Sequence, residues 1–303
     1  MRTAPDYIQF YPTLRCNRAC WFCFNRELPF VEDVELADFR RMLRVLRGIG
    51  VNTLDILGGE PTLHRDILAI IHESEQCGLS VNVSSNGTDL ALLSRVLETT
   101  RNTIVGVSVN DQQALARLAG FIKHYHPIVK SVFTPELDQE LAEDIIALAP
   151  KRFYLLYRDA MVHEESGPVV SFDRFLKAVH ERFGPSVGTV YCSGFLPDAG
   201  TYPELATVRC PAGTTKLGLM PDGSVYPCNL FFGREDFRLG NILTAPFEQI
   251  WRHPALVFFR TFSQNTCKKT SCELQRECHG GCPAHGIAHH GNLFASDPRC
   301  QGA

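Results

Sequence analysis

Three thiols stand close together near the start of the chain, in Cys16-Asn17-Arg18-Ala19-Cys20-Trp21-Phe22-Cys23, after an apolar run that begins near Tyr7. Their C-x3-C-x2-C spacing lets one loop fold around a corner of an iron–sulfur cube, whose usual ligands are Cys thiolates. A complete cube takes four such ligands, so a three-thiol loop leaves one iron for a substrate or cofactor. A zinc knuckle would need a fourth Cys or His close by. No further Cys or His lies between Arg2 and His64 other than His64 itself.

A second stretch, Gly58-Gly59-Glu60-Pro61-Thr62, follows a strand-like segment at 53–57. Two glycines let a backbone approach a ligand with no Cβ in the way. The neighbouring carboxylate can accept charge-assisted hydrogen bonds from an ammonium group. Alone, such a string is a common turn; combined with the cysteine loop, it resembles the radical S-adenosylmethionine (SAM) superfamily. The resemblance implies that SAM chelates the open iron through its amino and carboxylate groups and that Gly58, Gly59 and Glu60 hold its amino group. It also implies that Phe22 lies against the adenine. In that family a reduced cluster cleaves SAM to methionine and a 5′-deoxyadenosyl radical, which abstracts a substrate hydrogen.

The elements that must carry these motifs alternate from residue 7 to about 184. Strand patterns fall at 8–13, 53–57, 80–84, 103–109, 128–133 and 153–157. Helical patterns fall at 36–49, 65–77, 90–99, 112–124, 139–148 and 172–183. Alternation of this kind predicts an α/β fold with a parallel sheet and crossover helices, and six units match the partial (β/α)6, TIM-like barrel of the resembled family. Parallel barrels place chemistry on the loops at the carboxyl ends of their strands. On that face the resemblance assigns SAM contacts to Ser84, Ser108, Asn110 and Arg158. Ser and Asn at such places also serve plain turn chemistry. Cys77 reads as a small buried hydrophobe at a helix end.

Beyond about residue 186 glycine, proline and cysteine become dense, so the barrel is expected to span 1–186 and a second, cysteine-rich domain with little regular structure 187–303. Asp222-Gly223 predicts a hairpin turn bringing Cys228 back toward Cys210. The series Cys267-x4-Cys272-x5-Cys278-x3-Cys282, followed by Cys300, resembles the SPASM extension of radical SAM enzymes, with a first gap one would expect to be shorter. Gly240-Asn241-Ile242 and Phe247 to Trp251 fit its connecting segment. The resemblance implies two auxiliary 4Fe–4S clusters, one on Cys267, Cys272, Cys278 and Cys300, the other on Cys210, Cys228 and Cys282. With the SAM-binding cluster this makes three. The fourth ligand of the second set is open between Cys192, a tail histidine (His279, His285, His289 or His290) and the substrate. Two zinc ribbons would use ligand quartets of similar type.

Composition excludes several classes. The 303 residues, 45% apolar and 21% charged with net charge −3, describe a globular enzyme with no basic excess for nucleic acid. Apolar runs such as Ile67 to Ile71 are far too short to span a membrane. The first residues lack the apolar core of a signal peptide. Twelve cysteines in a chain this large point to metal ligation in a reducing cytoplasm rather than a disulfide scaffold. SPASM enzymes mostly oxidise or cross-link peptides and proteins, so a peptide or protein substrate is expected, as in ribosomal peptide (RiPP) maturation. A flavodoxin or ferredoxin would supply electrons. No leader-binding domain is expected before the first strand, so a separate leader-peptide-binding protein is an expected partner. The resemblance extends to the anaerobic sulfatase-maturating enzymes, but these place an Asp after the second SPASM cysteine where this chain has Asn229, which cannot ionise. Two alternatives stand beside it: oxidation of a small molecule or tetrapyrrole side chain, and a non-catalytic electron-transfer protein.

Overall fold

The computed structural model describes residues 4–134, 137–159, 161, 170–183, 187–190, 210–261 and 280–300. Cys192, Cys267, Cys272, Cys278 and His279 lie outside the described residues. Six parallel strands follow one another in chain order: β1 (Tyr7–Phe10), β2 (Thr53–Ile56), β3 (Ser80–Ser85), β4 (Thr103–Ser108), β5 (Ile128–Phe133) and β6 (Arg152–Tyr157). Helices α1 (Leu36–Gly48), α2 (Ile67–Gln76), α3 (Leu90–Thr99), α4 (Gln112–Tyr125) and α5 (Gln139–Ala147) connect them, so the six-unit, partial TIM-like barrel core stands as expected.

The strands are two-faced because their side chains alternate. One face carries Ile8, Leu54, Val81, Val105, Val129 and Phe153, all buried with the apolar stripes of the helices. The register puts Gln9, Asp55 and Asn82 on the other face, and Ser108 beside Lys130. The barrel interior is therefore polar. Helix starts are set by side-chain caps: Asp89, Asp111 and Asp138 accept from the backbone N–H of Leu92, Ala114 and Glu140, each worth about 1 kcal/mol. The sixth helical pattern divides into α6 (Phe172–Ala178) and a wider π turn over Val179–Phe183.

The sheet does not stop at six strands. A seventh, β7 (Gly188–Val190), pairs with β6. On the opposite edge β8 (Lys216–Leu219) pairs parallel to β1, followed by antiparallel β9 (Ser224–Tyr226) and β10 (Gly240–Asn241). The order is thus β10-β9-β8-β1-β2-β3-β4-β5-β6-β7. The turn between β8 and β9 uses Gly223 at φ +84°, as the Asp-Gly pair predicts. Other regular structure in this half is short: α7 (Phe247–Trp251), α8 (Leu256–Thr261) and a C-terminal helix, Pro283–His290. No helix among the described residues is long and apolar enough to cross a membrane.

Candidate functional site at the carboxyl ends of the strands

The cysteine loop leaves β1 and the Gly58-Gly59-Glu60 segment leaves β2, and the backbone joins the two directly. Gly59 N–H donates to Thr13 O at 3.0 Å and Glu60 N–H to Arg15 O at 2.7 Å. A Cβ on Gly58 would stand 2.4 Å from Thr13 O, and one on Gly59 2.0 Å from Arg15 O. One close approach these glycines permit is therefore to the cysteine loop itself, which spacing alone did not reveal. Asp33 fastens the same loop from the far side, accepting from Thr13 Oγ1 at 2.5 Å and from Arg15 Nε at 3.1 Å.

Within the loop, Cys23 N–H donates to Cys20 O, closing a tight turn between two of the three thiols. Burial pushes the Cys20 thiol up, and the charges of Cys23 and Cys16 push it further. Cys23 is raised by burial in the same way, with Cys16 adding to it. Cys16, Cys20 and Cys23 on one loop are a fitting donor set for iron, whose charge deprotonates its thiol ligands. Asn86, after β3, approaches Cys16 Sγ with its amide at 4.0 Å and donates to Asn17 Oδ1 at 2.9 Å. Hydrogen bonds to cluster sulfurs tune reduction potential.

Glu60 is buried, and its carboxylate is committed inside the protein. Oε1 accepts from Thr62 N–H, Thr62 Oγ1 and Ser85 Oγ, and Oε2 from Asn86 N–H at 2.6 Å. It caps the turn at Pro61–Leu63 and ties the ends of β2 and β3 together. The ammonium contact expected of it at the sequence level is thus preceded by a structural role that spacing alone did not reveal.

The other SAM-contact residues take different places. Ser84 and Ser108 lie on the inner barrel face, where Ser84 Oγ accepts from Lys130 Nζ at 2.5 Å. Burial depresses the Lys130 ammonium, opposed by the charge of Asp55. Burial likewise raises the Asp55 carboxyl, which accepts from Tyr7 OH at 2.6 Å. Asn110 accepts from Val132 N–H at 2.7 Å, a bond that joins the β4 exit to β5. Arg158 is buried at the end of β6 with its guanidinium 5.2 Å from the Trp21 ring centroid, and Trp21 meets Phe22 edge-on at 5.5 Å. Arg158, Trp21 and Phe22 therefore share one side of the barrel mouth.

The second half reaches this mouth through Asn229 and through Arg299, which sequence reasoning passed over. Asn229 donates to Tyr11 OH, and Tyr11 exchanges hydrogen bonds with Asn25, which in turn donates to Gly58 O at 3.3 Å. Burial raises the Tyr11 phenol, so it stays protonated. A polar chain thus runs from the residue after Cys228 through Asn25, two residues past Cys23, to Gly58. At the far edge Arg299 is fully buried, pairing with Asp297 at 2.8 Å and Asp159 at 3.1 Å and lying 4.8 Å from the Tyr157 ring centroid. Cys210, Cys228 and Cys282 are buried and Cys300 partly so. Of the candidate tail histidines, His285 is buried and His290 is exposed. Cys77 ends α2 and packs partly buried against the core. A strand lysine at 130 and an Asp-Pro-Arg-Cys ending were the signals available for Lys130 and Arg299.

Known proteins agree with this arrangement. A model of the radical SAM superfamily matches residues 10–130, and a model of the SPASM iron–sulfur cluster-binding domain matches residues 210–283. The chain is 24% identical to the PqqA peptide cyclase of Methylobacterium nodulans, over 95% of this chain and 84% of that protein. It is 24% identical to an AdoMet-dependent heme synthase of Methanosarcina barkeri, over 99% of this chain and 97% of that protein. A Methanopyrus kandleri protein named "Probable GTP 3′,8-cyclase" is 33% identical over 41% of this chain, but the match spans only 38% of that relative. Among solved structures, Streptococcus suis SuiB bound to S-adenosylmethionine superposes with a TM-score of 0.77 at 21% identity, covering 98% of this chain and 77% of SuiB. With both domain models in place and the two motifs bonded at one strand-end face, the chain belongs to the radical SAM superfamily and carries a SPASM domain.

Proposed function

We propose that this chain is a radical SAM oxidoreductase that abstracts hydrogen from a peptide or protein and leaves an oxidised or cross-linked residue. The observation that carries this is the backbone joint between the cysteine loop and Gly58-Gly59-Glu60, which sets a cluster loop and a SAM loop in fixed register at the barrel mouth. When bound, the cluster supplies the electron that cleaves SAM. Cys16, Cys20 and Cys23 would hold it; Phe22, Gly58, Gly59, Glu60, Ser84, Ser108, Asn110 and Arg158 would surround SAM. The polar inner face offers hydrogen bonds along an extended substrate, and the packed strand-end loops exclude water.

Peptide chemistry is favoured by two similarities. The peptide cyclase relative matches nearly the whole chain, and SuiB, also solved with its precursor peptide SuiA, shares the fold. Auxiliary clusters on Cys210, Cys228 and Cys282, and on Cys267, Cys272, Cys278 and Cys300, would take up the electron that net oxidation releases. We assign the barrel to 1–186 and the SPASM domain to 187–303, a cytoplasmic setting, and a flavodoxin- or ferredoxin-type reductant, with a separate leader-binding protein as partner. A second reading, oxidation of a tetrapyrrole side chain, draws on the heme synthase relative of matching length.

The test is anaerobic incubation with SAM, a reductant and either peptides encoded beside the gene or a porphyrin, read by mass spectrometry. Formation of 5′-deoxyadenosine with loss of hydrogens from a peptide supports the first reading, and loss from the porphyrin alone supports the second. The protein should hold about twelve irons, and Cys16, Cys20 and Cys23 replaced by Ala should remove about four of them together with all SAM cleavage. Zinc at the C-terminal cysteines of anaerobically purified protein would overturn the auxiliary-cluster assignment.

A further inference from the structure

The cluster assigned to Cys210, Cys228 and Cys282 has three thiolates for four irons. Cys282 opens the C-terminal helix as its N-cap, and His285 stands three residues on, with its N–H bonded to Cys282 O at 3.1 Å. That spacing puts the two side chains on one face. The ligand atoms of Cys282, His285 and Asp297 all lie within 4.8 Å of one another, and all three residues are buried.

These three donors are not equivalent. Asp297 is spoken for: Oδ1 accepts from the Arg299 N–H and Nε, and Oδ2 from the Cys282 N–H and Arg299 Nη2. Its carboxylate holds Arg299 and the Cys282 backbone in place. His285 differs. Its Nε2 faces Asp159 Oδ1 at 3.7 Å. A metal-bound histidine ordinarily has a carboxylate at the ring nitrogen away from the metal, which fixes its orientation. The helix packs closely against the segment that carries Asp297: a Cβ on Gly286 would lie 2.7 Å from Ala295 O and one on Gly281 2.5 Å from Asp297 Cβ.

We infer that His285, through Nδ1, is the non-cysteine ligand of the cluster anchored by Cys210, Cys228 and Cys282, with Asp159 as its orienting carboxylate. The inference rests on the proposed auxiliary clusters. It makes this cluster fully coordinated by the protein, so its role is electron transfer and not direct binding of a substrate thiol. Asp159 follows β6 and Arg158, so the same carboxylate couples the cluster ligand to the barrel mouth.

The experiment uses the full chain with Cys16, Cys20 and Cys23 replaced by Ala, reconstituted anaerobically, so that the SAM-binding cluster does not contribute. Pulsed electron paramagnetic resonance of the reduced protein should show a directly coordinated nitrogen, whose signal changes isotope pattern when histidine is 15N-labelled. His285→Ala should abolish that coupling. His285→Cys should abolish it too while keeping all the iron, which guards against a variant that merely fails to fold. A cluster with no nitrogen coupling, or with coupling unchanged in His285→Cys, overturns the assignment of His285 and leaves the auxiliary clusters standing. If Cys210→Ala and Cys228→Ala each cost no iron, the auxiliary cluster itself is absent and the proposal falls with it.

Discussion

Gly59 shows how much one missing methyl group can decide. Its amide donates to the cysteine loop, and Gly59→Ala would drive a Cβ to 2.0 Å from Arg15 O, a backbone atom that moves only if the loop moves. Overpacking of this kind costs about 1–3 kcal/mol. We expect Gly59→Ala to lose about four irons, those of the SAM-binding cluster, and to leave the auxiliary clusters in place. Iron and sulfide counts check this. Asp33, on the loop's other side, carries a pH dependence. Burial alone would raise its carboxyl, but Arg15 and Thr13 outweigh this and hold it below the usual carboxylate range. A depressed acid contributes stability above its unfolded pKa and loses it as pH falls through its folded pKa. Arg15 is half-exposed, so the solvent-screened pair is worth about 1 kcal/mol or less. Asp33→Asn should therefore cost that amount at neutral pH and almost nothing well below pH ~4. Urea titrations of both proteins across that range would reveal the convergence.

Between elements, the carboxylates act as joints. Glu60 binds the β2 exit to the β3 exit, and Asp297 with Asp159 binds the C-terminal segment to the β6 exit through Arg299. Arg299 is buried between two acids, so Arg299→Met would strand uncompensated charge in the interior. Breaking a buried pair this way costs about 3–5 kcal/mol, against a total of about 5–15 kcal/mol for an ordinary domain. We expect Arg299→Met to fall into the aggregated fraction or to unfold at markedly lower urea concentration. A soluble variant with unchanged midpoint would show that the two acids are accommodated some other way.

For the whole molecule, the sheet is the decisive feature. β8 pairs with β1 over Tyr7↔Lys216 to Phe10↔Leu219, so the second half completes the edge on which the cysteine loop begins. Without it, β1 would present unpaired backbone along an apolar strand, which is a template for aggregation. Leu217 and Leu219 are part of the same core as Ile8 and Phe10. A chain ending at residue 209 is therefore expected to be insoluble or rapidly digested by protease, while the full chain resists. A compact, protease-resistant fragment would show that the barrel closes its own edge.

Local periodicity was enough for the alternation of strands and helices: 90–99 and 128–133 are legible to the residue because apolar spacing and Asp caps act within a few residues. The cofactor motifs were legible for the same reason, since three thiols in one loop meet whatever the fold does. Element ends shifted where tertiary bonding ruled, as at β1, which stops at Phe10 because the chain then turns to lay Thr13 and Arg15 against Gly59 and Glu60. Only the tertiary structure could pair residue 7 with 216, bring Asn229 to Tyr11, or enclose Arg299 between Asp159 and Asp297. These contacts join segments more than a hundred residues apart or depend on burial, and neither property is written in a local pattern. The same holds for Glu60 and His285: the residue types announced chemistry, but the donors around one and the carboxylate beside the other exist only after the chain has folded.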